Sequence, residues 1–215
     1  MIDAIKNAFK IVGDSMPLAL KIREYYEKHG YAWQAENIIA IRNTDKKNDN
    51  TFSDCLSLVT DSECVSYICT TVPGTTWTEK LLKEYKLSGT GQYCLGFYPD
   101  LWTFSKHNGR ALKQTGKASW YEDADFNKRQ DASEKVYRNT YTSMDIHRRG
   151  QDAMATVDVG SAGCIVPPYY ADIDDFLNRL GWFGVTPPKK SFNGFITDSE
   201  SFVFAKDLIK LIKKT

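Results

Sequence analysis

Short apolar runs separated by turn residues fill the middle of this chain and constrain its fold more than any other feature. The run from Asn37 to Arg42 is followed by a polar loop from Thr44 to Asn50. Two more runs, 55–59 and 65–70, flank Asp61-Ser62-Glu63, a pattern that predicts a β-hairpin. Further strands are predicted at 92–98, 110–114, 117–121 and 155–159. Because few long helices separate these runs, we expect a mainly antiparallel sheet packed as a sandwich or barrel.

Both ends of the chain carry helical spacing instead. Apolar residues recur three or four positions apart between 2 and 12, and a second helix is predicted from Ser15 to a stop at Gly30. The C-terminal run 199–214 has an apolar stripe typical of an amphipathic helix. The sequence therefore predicts an α+β, mainly β fold. We expect an N-terminal helical segment at 1–34 and one domain at 35–215 that ends in the helix at 199–214.

Composition limits the classes of protein to which the chain can belong. Hydrophobic residues make up 42% of its 215 residues, which is enough for a packed core. The 28 basic and 27 acidic residues nearly cancel, so we expect no nucleic-acid partner. No run approaches the ~18 apolar residues of a membrane span. The N-terminus lacks a basic region followed by an apolar stretch, so we expect no signal peptide.

Cys164 differs from the other cysteines in its local sequence. The chain has five cysteines without CxxC spacing, which argues against a disulfide framework and a zinc knuckle. Cys164 alone lies in a small-residue turn, Ser161-Ala162-Gly163-Cys164, and His147 precedes it by seventeen positions. A thiol reacts as thiolate and needs a nearby base. We expect strand 155–159 to lead into this turn, Gly163 to take a positive φ, and the N–H groups of Gly163 and Cys164 to form an oxyanion hole.

These residues resemble a known signature. The segments Ile146–Gly150 and Gly160–Ile165 resemble the L,D-transpeptidase (YkuD-like) family, in which a His precedes a Ser-x-Gly-Cys turn by a similar distance. Gly91-Gln92-Tyr93, His107–Gln114 and Trp120–Asp125 are similar to segments of a phage-associated branch of that family. The likeness covers roughly residues 35–170. It implies an antiparallel β-sandwich or barrel of the L,D-transpeptidase type.

The resemblance also implies a function. Family members act on bacterial peptidoglycan stem peptides, with the cysteine as nucleophile and the histidine as proton carrier, here Cys164 and His147. Ser161 and Gly163 belong to the catalytic turn, and no cofactor or metal is implied. Without an export signal, we expect a cysteine peptidase made in the cytoplasm and acting at the cell wall. A phage endolysin, a virion component or an injected effector fits that description, and hydrolysis is favoured over transpeptidation.

Two other functions stay open. One is an inactive structural or binding module of a phage particle that keeps the fold and contacts phage structural proteins. The other is a zinc enzyme using His107, His147 and a cysteine, although no close ligand pair such as HxxxH supports it. The acidic run Glu122, Asp123 and Asp125 invites a Ca²⁺ site or a glycosidase pair, but a hairpin turn is favoured.

The chain departs from the family pattern at two places. An Arg usually follows Cys-Ile/Val and is thought to hold a substrate carboxylate, whereas Pro167-Pro168 stands near that position here. The usual His-Gly is replaced by His147-Arg148-Arg149. Because guanidinium groups bind carboxylates in a bidentate manner, Arg148 and Arg149 are the candidates for substrate binding. His107 is a candidate to line the cleft.

Overall fold

The computed structural model describes residues 17–45, 50–150, 152, 153 and 155–212. The predicted α+β, mainly β class is confirmed. The strands are β1 (Asn37–Arg42), β2 (Asp54–Val59), β3 (Cys64–Cys69), β4 (Thr90–Tyr93), β5 (Gly96–Lys106), β6 (Arg110–Gln114), β7 (Ala118–Asp123), β8 (Val136–Thr140), β9 (Ile146–His147) and β10 (Ser191–Asp198). The helices are α1 (described over 17–28), α2 (Thr75–Lys83), α3 (Tyr170–Arg179) and α4 (Ala205–Lys210).

A seven-stranded sheet forms the body of the molecule, in the order β3-β2-β1-β10-β5-β6-β9. Neighbouring strands are antiparallel except β1 and β10, which run parallel with Ile39 opposite Phe195. A second sheet of three strands, β4-β7-β8, is antiparallel throughout. The larger sheet is therefore mixed, and its parallel pair joins β1 to β10, which are far apart in sequence.

Strand β1 explains how the core is divided. Each of its six residues is buried, as expected for a strand covered on both faces. Because side chains alternate along a strand, Ile38 and Ala40 face one apolar cluster while Ile39 and Ile41 face another. The first cluster extends toward α3 and the three-stranded sheet. The second packs under α1 and α4.

Helices α1 and α4 cover that second face. Ile22 and Tyr26 of α1 are almost fully buried, as are Phe202 and Leu208 near or within α4. The first predicted helix, at 2–12, lies outside the described residues. The predicted helix at 199–214 is confirmed only over Ala205–Lys210. Residues 199–204 form turns held by Asp198, whose Oδ1 accepts the N–H groups of Glu200 and Ser201. Residues 211 and 212 lie beyond the helix, and 213–214 lie outside the described residues.

The strand predictions vary in accuracy along the chain. Strand 37–42, the hairpin 55–70 and strand 110–114 are confirmed to within a residue or two. The strand predicted at 92–98 is split by Cys94-Leu95 into β4 and β5. The strand predicted at 155–159 is wrong, since a 3₁₀ turn occupies Asp158–Gly160. No described helix is long and apolar enough to cross a bilayer.

Candidate functional site

His147 and Cys164 lie on adjacent backbone segments. Strand β9 pairs antiparallel with β6 on one side, Ala111 lying opposite His147. On its other side β9 meets the segment after Cys164 in a parallel bridge between Ile146 and Ile165. Two backbone hydrogen bonds fix this register, from His147 N to Ile165 O (3.2 Å) and from Ile165 N to Asp145 O (2.8 Å). Since side chains alternate, Asp145, His147 and Cys164 occupy the same face.

The imidazole of His147 is oriented by a main-chain carbonyl. Its Nδ1 lies 2.6 Å from the carbonyl oxygen of Arg148, so Nδ1–H donates and Nε2 is the unprotonated nitrogen. The residue is only 4% exposed. Burial lowers the pKa of His147 to about 4, which keeps the ring neutral at pH 7. A neutral ring with a free Nε2 has the form that a general base requires.

The thiol of Cys164 is buried and protonated in this conformation. The residue is 7% exposed, and burial raises the pKa of its thiol to about 12. Its Sγ accepts the N–H of Asp145 at 3.4 Å and lies 3.7 Å from the carbonyl oxygen of Ser143, toward which S–H can donate. The thiol thus contacts the segment before His147, and no hydrogen bond joins its Sγ to the His147 ring within the described residues.

The turn that holds Cys164 is closed by Ser161. The Ser161 hydroxyl donates to the Cys164 carbonyl (2.7 Å) and accepts the N–H of Gly163 (3.1 Å). Gly163 has the expected positive φ, +124°. A Cβ at Gly163 would lie 3.0 Å from the carbonyl oxygen of Gly91, so the chain's own strand β4 packs against the turn at this glycine.

These contacts change the predicted oxyanion hole. The Gly163 N–H is already bonded within the turn, whereas the Cys164 N–H makes no hydrogen bond to another described residue. The Cys164 N–H is therefore the donor left for a developing oxyanion. The turn also follows a 3₁₀ turn instead of a strand. That turn forms because the Asp158 carboxylate accepts hydrogen bonds from Asn50 (2.6 Å), Thr75 (3.2 Å) and Thr156 (2.6 Å).

His107 stacks on His147. The two ring centroids are 3.9 Å apart at an interplanar angle of 21°. His107 Nδ1 is 2.9 Å from Oδ2 of Asp145, whose other oxygen accepts the N–H of Gln114 at 2.8 Å. The His107 side chain is 40% exposed, whereas that of Asp145 is 7% exposed. Asp145 therefore contacts His107 through its carboxylate and Cys164 through its backbone, and it links the two sides of the site.

The two arginines occupy different environments. Arg149 is 2% exposed, donates to the Thr156 carbonyl and lies over the Phe52 ring. This burial is at odds with the predicted role of Arg149 in binding a substrate carboxylate, and the side chain instead braces the loop before Cys164. Arg148 is half-buried, donates to the Asn108 carbonyl and lies 4.8 Å from the centroid of Tyr170. Arg148 is the remaining candidate for a substrate carboxylate.

A cavity of about 240 Å³ adjoins the Cys164 turn. Ala162 of the turn and Met144 form one wall, while Trp120 and Gly91 of the small sheet form another. Helix α2 and the segment after it add Leu81 and Leu87. Met144 is the residue between Ser143 and Asp145, both of which contact Sγ. The cavity is therefore next to the thiol, on the side of residues 142–144.

Gln114 and Tyr93 hold this wall in place, although sequence reasoning assigned them no role. Gln114 Oε1 accepts hydrogen bonds from the backbone of Thr142 and Met144 and from the Tyr93 hydroxyl. The Tyr93 hydroxyl also lies 2.7 Å from the Met144 carbonyl. Asp145 was missed as well, though its place two residues before His147 puts it on the same face of a strand. Tyr93 and Gln114 both lie in segments that are similar to the phage-associated branch, and that similarity is the sequence signal that could have singled them out.

Among the described residues, His107, His147 and Cys164 do not form a group with the spacing of metal ligands. The described group with suitable spacing is Asp123, Asp125 and Glu134, whose ligand atoms lie within 4.8 Å of one another. Asp123 accepts the Lys128 N–H (2.9 Å), and Glu134 accepts the Ala124 N–H (2.8 Å). Glu122 accepts the Ser88 N–H at 2.7 Å. Asp123 and Glu134 therefore brace the β7–β8 connection, whereas Glu122 braces the segment before β4. Only Asp125 of the predicted hairpin turn lies in that connection, because Glu122 and Asp123 end strand β7.

Comparison with known proteins identifies no family for this chain. No family model matches it, and no curated protein is significantly similar to it.

Proposed function

We propose that the chain is a cysteine-dependent hydrolase of peptidoglycan stem peptides with an L,D-transpeptidase-like sandwich or barrel. The observation that carries the proposal is the pairing of β9 with the segment after Cys164, which sets His147 and Cys164 on one face of adjacent strands. The likeness of both motifs to the phage-associated branch supports the substrate class. A phage lytic or entry role follows from the same likeness.

The proposed reaction begins from a neutral pair, because burial opposes charge on both groups. The Cys164 sulfur attacks a peptide carbonyl carbon while its proton passes to His147 Nε2. The Cys164 N–H stabilises the oxyanion. His147 then gives that proton to the leaving amine as the C–N bond breaks, which leaves an acyl-thioester. Water then attacks the thioester carbonyl carbon while His147 takes a proton from the water. The C–S bond breaks, the peptide leaves as a carboxylic acid, and His147 returns its proton to the Cys164 sulfur.

Residues around the pair have supporting roles. The Arg148 carbonyl holds the imidazole so that Nε2 accepts, and it stabilises the imidazolium formed during proton transfer. The cavity beside Ala162, with its apolar and aromatic walls, suits the aliphatic part of a stem peptide. Arg148 lies near His107 through the Asn108 contact and suits a terminal carboxylate of that peptide.

The experiment compares mass spectra of peptidoglycan digests made with the wild type, Cys164→Ala and Cys94→Ala. Cys94 is the matched control because it is also 7% exposed and its thiol pKa is also raised by burial. We expect shortened stem peptides with the wild type and Cys94→Ala, and none with Cys164→Ala. Cleavage by Cys164→Ala would refute the assignment of Cys164 as the nucleophile, and new cross-links would show that the protein is a transpeptidase.

A second candidate function has its own supporting observation. The Cys164 thiol has a pKa of about 12 and points to Ser143 and Asp145, as a structural cysteine would. This arrangement favours an inactive module of a phage particle. Peptidoglycan left uncleaved after incubation with folded wild type would favour this candidate over the hydrolase.

A further inference from the structure

A second cavity, away from the Cys164 turn, contains a buried arginine to which no described residue supplies a counter-ion. The cavity measures about 430 Å³ and is lined by Arg42, Leu95, Tyr121, Lys128, Arg129, Gln130, Asp131 and Asp198. We refer to it as the Arg42 pocket. Arg42 ends β1, and Asp198 lies opposite it at the end of β10. Because these strands are parallel, their carboxyl ends meet at one edge of the sheet.

The Arg42 guanidinium is satisfied only in part. The residue is 2% exposed, Nη1 donates to the Tyr121 hydroxyl (3.1 Å), and Nη2 donates to the Tyr93 carbonyl (2.9 Å). Its buried Nε has no hydrogen-bond partner among the described residues. No carboxylate in the described part of the chain forms an ion pair with it. A buried cation without a counter-ion is costly, so the site is poised for an anionic group.

The other cations around the pocket are already neutralised. Lys128 Nζ lies 3.2 Å from Asp54 Oδ1, and both side chains are 1% exposed. Arg129 pairs with Glu200 at the surface. Among the residues that the structure describes, the pocket is thus left with one unpaired guanidinium and two carboxylates, those of Asp131 and Asp198. A ligand with both a carboxylate and an ammonium group matches this lining better than a phosphate does.

The loop that closes the pocket is held in a strained conformation. Phe126 and Lys128 both adopt positive φ values, 60° and 66°, which non-glycine residues rarely do. Buried contacts hold Lys128 there, since its N–H donates to Asp123 and its ammonium group donates to Asp54. Backbone strain of this kind is concentrated at binding and switching sites.

We propose that the Arg42 pocket binds a small zwitterion of the amino-acid type, with its carboxylate on Arg42 and its ammonium group on Asp131 or Asp198. The volume suits such a molecule. The proposal is independent of Cys164 and of hydrolysis.

The test is titration of the full chain with L-alanine, acetate, methylammonium and inorganic phosphate, followed by calorimetry and by amide NMR shifts. We expect alanine to bind more tightly than the single-charge probes and to shift Gln130 and Asp131. Arg42→Gln should weaken alanine binding by at least about tenfold, whereas Arg23→Gln, on α1, should not. Asp131→Asn should weaken alanine binding, so that the affinity for alanine approaches the affinity for acetate.

Other outcomes would overturn the proposal. These are phosphate binding more tightly than alanine, no shift at Gln130 or Asp131, and full alanine binding by folded Arg42→Gln. Circular dichroism checks that variant's fold. If Arg42→Gln does not fold, the wild-type shifts and the exposed Asp131→Asn variant decide the question.

Discussion

The helix-covered face of the large sheet and the site edge, formed by β6, β9 and the 161–164 turn, are built on different principles. The helix-covered face is mainly apolar and aromatic, with Tyr26 packed edge-on against Phe97 and Phe195. Its buried Ser57 and Ser66 hydrogen-bond to each other. The site edge buries Asp145, His147 and Arg149, each at most 5% exposed. Burial of apolar area stabilises the first region, whereas oriented hydrogen bonds maintain the second. Stability and chemistry are therefore expected to respond to mutation separately.

Phe195→Ala should give the largest loss of stability. Phe195 is 5% exposed and contacts the rings of Tyr25, Tyr26 and Phe202. Its removal leaves a cavity, so the free energy of unfolding should fall by about 3–5 kcal/mol in a denaturant titration. The control is Phe183→Ala, because Phe183 is 80% exposed and should change stability by under about 0.5 kcal/mol. Equal losses in the free energy of unfolding for the two variants would show that Phe195 is not packed more tightly than the exposed Phe183.

His147→Gln tests the site edge through its pH dependence. The pKa of His147 is about 4 in the folded chain against an ordinary value of 6.5, so the unfolded chain binds the extra proton first on acidification. The contribution of His147 to the free energy of unfolding of the wild type is fully present above pH 6.5 and is lost as the pH falls toward 4. That loss amounts to roughly 2–3 kcal/mol and should be absent from the variant.

The measurement is denaturant unfolding at several pH values between the folded-state pKa of His147 and neutrality. His29→Gln serves as control, since His29 is exposed at the end of α1 and should leave the acid loss unchanged. A wild-type curve that is flat over this window would show that His147 titrates near its ordinary pKa. It would then not be buried as the β6–β9 pairing requires.

Gly163→Ala should cost less, about 1–3 kcal/mol. Alanine would have to adopt φ +124° and place its Cβ 3.0 Å from the Gly91 carbonyl oxygen. Gly184→Ala is the matched control, because nothing lies within 4 Å of a Cβ there and Gly184 has no positive φ. We expect thermal unfolding to separate the two variants. Equal midpoints would show that the 161–164 turn relaxes freely.

The same contrast explains which parts of the fold were predictable. β1 and the β2–β3 hairpin are continuous apolar runs, so local pattern alone predicts them. β10 was missed because Asn193 and Gly194 interrupt its pattern. The glycine is required by packing, since a Cβ there would lie 2.5 Å from Leu101 and 2.7 Å from Trp102.

For the candidate site, the sequence predicted the His147–Cys164 pair, and its catalytic role stays a prediction. It did not predict that Arg149 would be buried or that Gly91 would pack against Gly163. These placements depend on contacts between distant segments. The strand predicted at 155–159 failed for a related reason, since Asn50 and Thr75 stabilise the turn at Asp158 from more than 80 residues away.

His107→Gln should have the smallest effect and sharpens the description of the site most. His107 is 40% exposed on its side chain, so its loss should change stability little. Its charge lowers the pKa of His147 through the stacked rings, a smaller effect than burial. Removing it should therefore raise the pKa of His147 by less than about one unit, as followed by NMR titration of the ring. Asp145→Asn should shift that pKa the other way, because the Asp145 carboxylate raises it. Opposite shifts would establish that His107 and Asp145 tune one imidazole, whereas shifts of the same sign would mean that both variants act by loosening the β9 segment.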